Sequence, residues 1–378
     1  MNKTLNVSLL DGSMKKAGLS QSSLAEIIGV SREIVSKWLQ GKKFPRPDKL
    51  FKIGMELGIE YDKLVIETAG PNAPIVAFRK RANQKTLPKH IKRAQETGLL
   101  LEKLAPFLPS VNNLERPPTL KNPSVDYNYL NKVCKKLRKE IGVPADKEIK
   151  FSHLIDKFNE LDAVLIPVLL GSKEHHENAL HIYLPESMTA WIFINLDTHI
   201  HDFKFWMAHE LGHVYAPDLI GDEGEDFADL FAQALLFPEE LAKSAYRTLS
   251  KQRTVANRIT ITLDLAKKFI ISPYTIKKSV DMYTTAHNLP EINFGKGFYG
   301  AITNFNKKYK PVSESIFGKA EKLSSGKYIS ISEKIFKTPF FDALKQYFEN
   351  TEYSASFIQK VLQMPLTDSK ALLKELRK

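Results

Sequence analysis

His209-Glu210-Leu211-Gly212-His213 sets two imidazoles four residues apart, with a carboxylate beside the first. On an α-helix, residues i and i+4 lie one above the other on one face, about 6 Å apart. Two imidazoles so placed can hold one Zn²⁺. The glutamate next to the first can act as general base toward the water that attacks a peptide bond. The pattern points to a zinc hydrolase, and among these to a peptidase. A chain with 10 His also meets such a pattern by chance, and the two histidines could instead cap a helix end or sit in a polar core. The neighbouring residues must therefore supply the rest of a site.

A catalytic zinc site takes three protein ligands and keeps one position open. After His213 the chain passes Pro217, Gly221 and Gly224, which end the first helix in a turn. A second helix is expected from about Glu225 to Pro238, with apolar residues at Phe227, Leu230, Phe231, Ala234 and Leu235. Glu225 and Asp229 are i, i+4 neighbours on another face. Glu225 can be the third ligand. Asp229, one turn on, can accept a hydrogen bond from a ligand histidine and fix its tautomer. Glu223 and Asp226 are rivals for the ligand role, and acids at a helix start also suit the helix dipole without any metal.

The string Phe205-Trp206-Met207-Ala208-His209-Glu210-Leu211-Gly212-His213, followed by Glu225-x-x-Ala228-Asp229-x-Phe231-Ala232-x-x-Leu235-Leu236-x-Pro238, resembles the ImmA/IrrE family of zinc metallopeptidases over roughly residues 125–280. The resemblance implies zinc held by His209, His213 and Glu225, with Glu210 as the base. Asp229 stands where that family usually carries Asn. The pair Glu225 and Asp229 also fits the E-x-x-x-D pattern of thermolysin-like gluzincins.

The elements expected to position these residues are helices over 127–143 and 149–161, and strands over 163–170, 179–184 and 190–195. The strand Ala190–Asn195 could hold a substrate by strand addition or be a buried core strand. Tyr215, His199, His201, His181, His175 and His176 are candidates to stabilise an oxyanion, each with an ordinary packing or surface role as the alternative.

A second pattern lies upstream. Leu24, Ile27 and Ile28 form an apolar helical face after Ser20, a capping residue; Gly29 breaks the helix, and Ser31 caps the next. That next helix packs Ile34, Val35 and Trp38 and turns Arg32, Glu33, Ser36 and Lys37 outward. Two short helices around a glycine turn are a helix-turn-helix signature. Most of residues 14–66 resembles the XRE/Cro-type DNA-binding domain. The resemblance implies that the second helix enters the major groove of double-stranded DNA, with Gln21 at its approach and Arg32, Glu33, Ser36 and Lys37 facing bases or phosphates. Lys42, Lys43 and Arg46 suit phosphates. Residues 1–93 hold 18 Lys and Arg against 8 Asp and Glu, which is +10 of the chain's +12. A basic module beside a nearly neutral remainder is the footprint of nucleic-acid binding. The other reading is a protein-interaction module with a solvated basic face.

The expected fold is multidomain: an all-α helix-turn-helix domain, then an α+β zincin-like, gluzincin-type peptidase domain with a helical C-terminal extension. The expected boundaries are 1–70 for the helix-turn-helix, 71–126 for a basic helix and proline-rich linker, 127–245 for the peptidase, 246–285 for a following helical segment, and 286–378 for an extension. In the linker Pro106, Pro109, Pro117, Pro118 and Pro123, with Asn112 and Asn113 among them, suggest a semi-rigid spacer. Residues 265–276 have a second helix-turn-helix rhythm. Gly295, Gly297, Gly300 and the stretch Tyr328–Glu333 suggest a mixed segment, with helix in the last 40 residues or so. Cys134 is the single cysteine, so no intrachain disulfide forms. No apolar run of membrane length and no signal peptide is seen, so a cytoplasmic protein without a membrane partner is expected.

The function expected from these parts is a DNA-binding regulatory endopeptidase. Its protein substrate would be a specific repressor or partner, cut in a stress, DNA-damage or mobile-element response, and the helix-turn-helix could support a homodimer. The alternative is a transcriptional regulator or antitoxin-like protein whose peptidase-like domain is a sensor or scaffold without turnover.

Overall fold

A computed structural model describes residues 2–68, 73–78, 88–109, 118–170, 179–318, 323–352 and 354–378. His175, His176, Asn112, Asn113 and Pro117 lie outside the described residues. The chain forms two compact units, Met1–Ala73 and Pro74–Lys378.

The first unit holds β1 (Asn2–Leu5), α1 (Val7–Lys16), α2 (Gln21–Ile28), α3 (Arg32–Leu39), α4 (Pro47–Leu57), α5 (Tyr61–Leu64) and β2 (Val65–Thr68). Beyond the expected helices, β1 and β2 pair antiparallel, tying the start of the unit to its end. Ser20 Oγ accepts from Ser23 N at 3.1 Å and caps α2. Gly29 ends that helix at φ 72°, a left-handed conformation glycine reaches without a Cβ clash. Lys49 Nζ adds a bond to the Ile28 carbonyl at 3.1 Å. Ser31 stands at the N-cap of α3, but its side chain makes no capping bond. The core gathers Leu10, Met14, Leu24, Ala25, Ile28, Val35, Trp38, Leu50 and Ile53. Ile27, expected on the apolar face of α2, is exposed; Ala25 takes its place.

The second unit opens with β3 (Ile75–Phe78) and α6 (Pro88–Leu101), then a short 3-10 turn at Ala105–Phe107. Next come α7 (Tyr127–Glu140), α8 (Phe151–Glu160), β4 (Ala163–Val168), β5 (Ala179–Leu184) and β6 (Thr189–Asn195). The central helices are α9 (Ile200–Tyr215) and α10 (Gly221–Leu236). Then follow α11 (Glu239–Ser250), α12 (Val255–Phe269), α13 (Pro273–Ala286), α14 (Phe298–Asn306) and α15 (Val312–Phe317). The chain closes with α16 (Ser325–Phe336), α17 (Phe340–Glu349), α18 (Ala355–Leu362) and α19 (Leu366–Leu376).

The sheet runs β3-β5-β6-β4. β4 and β6 are parallel, while β5 is antiparallel to β6 and to β3. β4 and β6 are buried almost throughout, as their unbroken apolar runs require. β6 pairs on both sides, Ala190 with Tyr183 and with Ala163. It therefore has no free edge for a substrate, and the strand-addition role considered for Ala190–Asn195 falls away.

Two of the expected segments share the core of the second unit. The segment read as a linker puts β3 into the sheet and Ala94, Leu101 and Leu104 into the main core. Residues 286–378 share that core through Phe298, Phe336, Phe340 and Leu344, and Tyr328–Glu333 lies within α16 rather than in a mixed segment. The backbone at 311–313 is tied to the loop before α9: Val312 N donates to Thr198 O at 2.9 Å and Ser313 N to Leu196 O at 2.8 Å. Tyr328 Oη donates to the Pro167 carbonyl on β4. The extension thus braces the strand and loop that lead into α9.

Candidate metal centre and nucleic-acid interface

The whole pentad lies inside α9, a sixteen-residue helix whose residues from Phe203 to Tyr215 are all buried. α10 begins at Gly221, four residues earlier than expected, so Gly224 is inside the helix and Glu225 is clear of its end. The two helices pack closely at Gly212. A Cβ there would lie 3.0 Å from Ala228 Cα and 3.2 Å from Phe231 Cδ1. The small residue between the two ligand positions lets the second helix approach the first.

That approach brings three ligand atoms together. His209, His213 and Glu225 each offer one, all within 4.8 Å of one another, and all three residues are buried. His209 Nε2 and His213 Nε2 are 3.2 Å apart. The Glu225 carboxylate spans them, with Oε2 at 3.5 Å from His209 Nε2 and Oε1 at 3.4 Å from His213 Nε2. The other two acids, Glu223 and Asp226, are exposed, whereas Glu225 is buried with the histidines. Behind His209, Asp229 Oδ1 lies 2.8 Å from Nδ1. A carboxylate only accepts, so Nδ1 must carry the proton, which leaves the Nε2 lone pair for a cation.

The donor set suits a divalent metal. The buried Glu225 Oε2 has no hydrogen-bond partner among the described residues. Burial alone would raise the Glu225 carboxyl, but the two imidazoles beside it win and hold it at about 2. Burial opposes charge on His209, yet Asp229, Glu225 and Glu210 overcome it and raise its pKa to about 9. For His213 burial prevails and lowers the pKa. A proton on His209 thus sits where the carboxylates call for positive charge, and a cation can take its place.

Glu210 faces the sheet. Its Oε2 lies 3.8 Å from His181 Nδ1 on β5, and both side chains are buried. The His181 ring stands edge-on to His213 at 5.6 Å between centroids. Burial first, and then the charge of His213, depress its pKa to about 3, so the ring is neutral. His181 was one candidate among six; alternation along β5 marks it as facing one side of the sheet, but only the packing of α9 shows which side. The other described candidates lie elsewhere. Tyr215 packs on Phe231, His201 on Phe305 and Tyr309, and His199 bridges to Pro311 before α9.

In the first unit α3 exposes Arg32, Glu33 and Lys37, with Ser36 half-buried and accepting from Gln40 Nε2 at 3.2 Å. Gln21 opens α2 and is half-buried. Lys42 and Lys43 both donate their backbone N–H to Lys37 O, so a basic turn closes the end of α3, and their side chains and that of Arg46 are exposed. α3 and the turn after it thus expose cations and hydrogen-bonding groups to solvent.

Residues 14–64 match the helix-turn-helix family model. Residues 164–278 match a peptidase family model described as an IrrE N-terminal-like domain, a span that includes every residue of the candidate centre. No curated protein and no solved structure gave a significant match. No helix among the described residues is long and apolar enough to cross a membrane.

Proposed function

We propose that this union of a helix-turn-helix domain with an IrrE N-terminal-like peptidase domain is a DNA-binding regulatory zinc endopeptidase. The observation that carries the reading is the buried meeting of His209, His213 and Glu225, with Glu210 beside it. Two imidazoles and one carboxylate are a donor set of catalytic zinc sites, and they leave a position open.

The chain's residues divide the work. Asp229 holds His209 in the Nδ1–H tautomer and fixes its ring. Zinc, when bound, supplies Lewis-acid activation of water and of the scissile carbonyl. Glu210 takes the proton of the attacking water and returns it to the leaving amine. His181, neutral and buried, holds its Nδ1 edge toward the Glu210 carboxylate.

In the first unit, Arg32, Glu33, Ser36 and Lys37 read the groove, Gln21 stands at its approach, and Lys42, Lys43 and Arg46 neutralise phosphates. A module that selects DNA, joined in one chain to a hydrolytic centre, suits regulated cleavage of one partner, such as a repressor, in a stress or mobile-element response. The test compares metal content of wild type and His209→Ala, and cleavage of candidate repressors by wild type and Glu210→Gln. Zinc held equally by wild type and His209→Ala would remove the site. Cleavage at wild-type rate by Glu210→Gln would remove the mechanism.

A further inference from the structure

Both edges of β5 are already paired within this chain, one with β6 and one with β3. β5 is the strand next to the centre, since His181 faces Glu210. One side of β5 pairs with β6, and the other pairs antiparallel with β3, in the register Ile75 to Tyr183, Val76 to Ile182, Ala77 to His181 and Phe78 to Leu180. Directly opposed residues in an antiparallel pair point to the same face. Ala77 therefore shares the face of His181, which is the face of the centre. β3 also lies against α10, the helix that carries Glu225 and Asp229. β3 thus has β5, which carries His181, on one side and α10, which carries Glu225, packed against it.

An extended peptide that paired with β5 beside the centre would need the backbone groups that β3 now uses. The two occupants exclude each other. β3 is suited to leave: it is four residues long, it is an edge strand, and Ile75, Val76 and Ala77 are only half-buried. By contrast β4 is buried at every residue. At its start β3 is anchored by Pro74, which is buried against α6; a Cβ on Gly98 would lie 2.5 Å from Pro74 Cβ and 3.1 Å from Ile182 Cγ2.

We propose that Ile75–Phe78 is a resident strand occupying the substrate's position on β5, and that a protein substrate enters as an extended segment by strand exchange. The incoming segment carries apolar residues around a small one opposite His181, as Ile75-Val76-Ala77-Phe78 does. The proposal rests on the peptidase reading for what the incoming segment undergoes, and on the sheet alone for where it binds.

The test uses the full chain and a fluorescently labelled peptide with the sequence of residues 73–80. Val76→Pro removes a backbone donor from β3 and loosens it. Ile75→Cys with Tyr183→Cys places two thiols on opposed residues, at a separation a disulfide spans, and locks β3 when oxidised. If β3 covers β5 for all but a tenth of the time or less, the peptide binds Val76→Pro at least about tenfold tighter than wild type. The cysteine pair is expected to bind it only after reduction, and bound peptide is expected to protect the β5 amides from hydrogen exchange. Equal affinity for oxidised and reduced protein overturns the proposal, and this comparison decides even if Val76→Pro fails to fold. Cleavage of the wild-type chain within residues 74–79 also overturns it, because the strand would then be a substrate. Absence of hydrolysis in every form would sink the peptidase reading and leave strand exchange to be judged by affinity. Partner hydrolysis at one rate in both redox forms would do the reverse.

Discussion

His209 Nδ1 and Asp229 Oδ1 lie 2.8 Å apart across the interface of α9 and α10. The bond joins a candidate ligand on one helix to a carboxylate on the next, and it orients the imidazole before any metal arrives. Asp229→Ala is expected to weaken zinc binding by about 10–100-fold, with Asp229→Asn, which still offers an oxygen acceptor, losing less. Competition with a chromophoric chelator measures both. Equal affinity of Asp229→Ala and wild type would show that the bond does not serve the metal.

Gly212→Ala tests the packing that assembles the centre. The new methyl meets the α10 backbone at Ala228, 3.0 Å away, and Phe231. The helices must separate, at a cost of about 1–3 kcal/mol, and Glu225 moves with α10. Urea unfolding is expected to show the lost stability and metal titration a weakened site. A variant with unchanged metal affinity would mean that the close approach of α9 and α10 is not what brings Glu225 to the histidines.

His201 gives the second unit an acid-sensitive brace. It is 1% exposed and packs edge-on against Phe305 and Tyr309, at 4.8 and 4.3 Å between ring centroids. Burial lowers its pKa from 6.5 to about 4. Between these values the unfolded chain binds more protons than the folded one, so stability rises with pH in that window and is lost as pH falls through it. The effect is at most on the order of 3–4 kcal/mol. His201→Phe is expected to flatten this limb, so the difference in unfolding free energy between the two proteins should change from pH 7 to pH 4.5. A difference independent of pH would show that His201 is not the group responsible.

The basic turn after α3 predicts a salt signature. If Lys42 and Lys43 each contact a phosphate, the slope of log affinity against log salt falls by roughly 0.9 for each one replaced by Ala. Fluorescence anisotropy with duplex DNA over a salt series measures it. A slope unchanged in Lys42→Ala with Lys43→Ala would place the DNA contacts elsewhere.

Much of this arrangement was legible because it is periodic and local. The i, i+4 spacing of His209 and His213 requires only a helix, and the same rule put Glu225 and Asp229 on one face of the next. The choice between Glu225, Glu223 and Asp226 was not local: it depended on where α10 starts and which of its faces is buried. Ile27 was misplaced for a related reason. Apolar spacing marked a face of α2, but the packing of the other helices buried Ala25 instead.

The sequence by itself determined the chemistry on offer: two imidazoles and a carboxylate within one helical turn, further carboxylates one helix on, and a basic helix-turn-helix upstream. Those features follow from backbone periodicity and from charge, both of which can be read along the chain. Tertiary structure alone decided that His181 faces Glu210, that the extension from residue 286 braces the core, and that Ile75–Phe78 lies on β5. Each of these joins residues far apart in the chain. Register and facing are set by which surfaces can be buried together, and no local pattern encodes that choice.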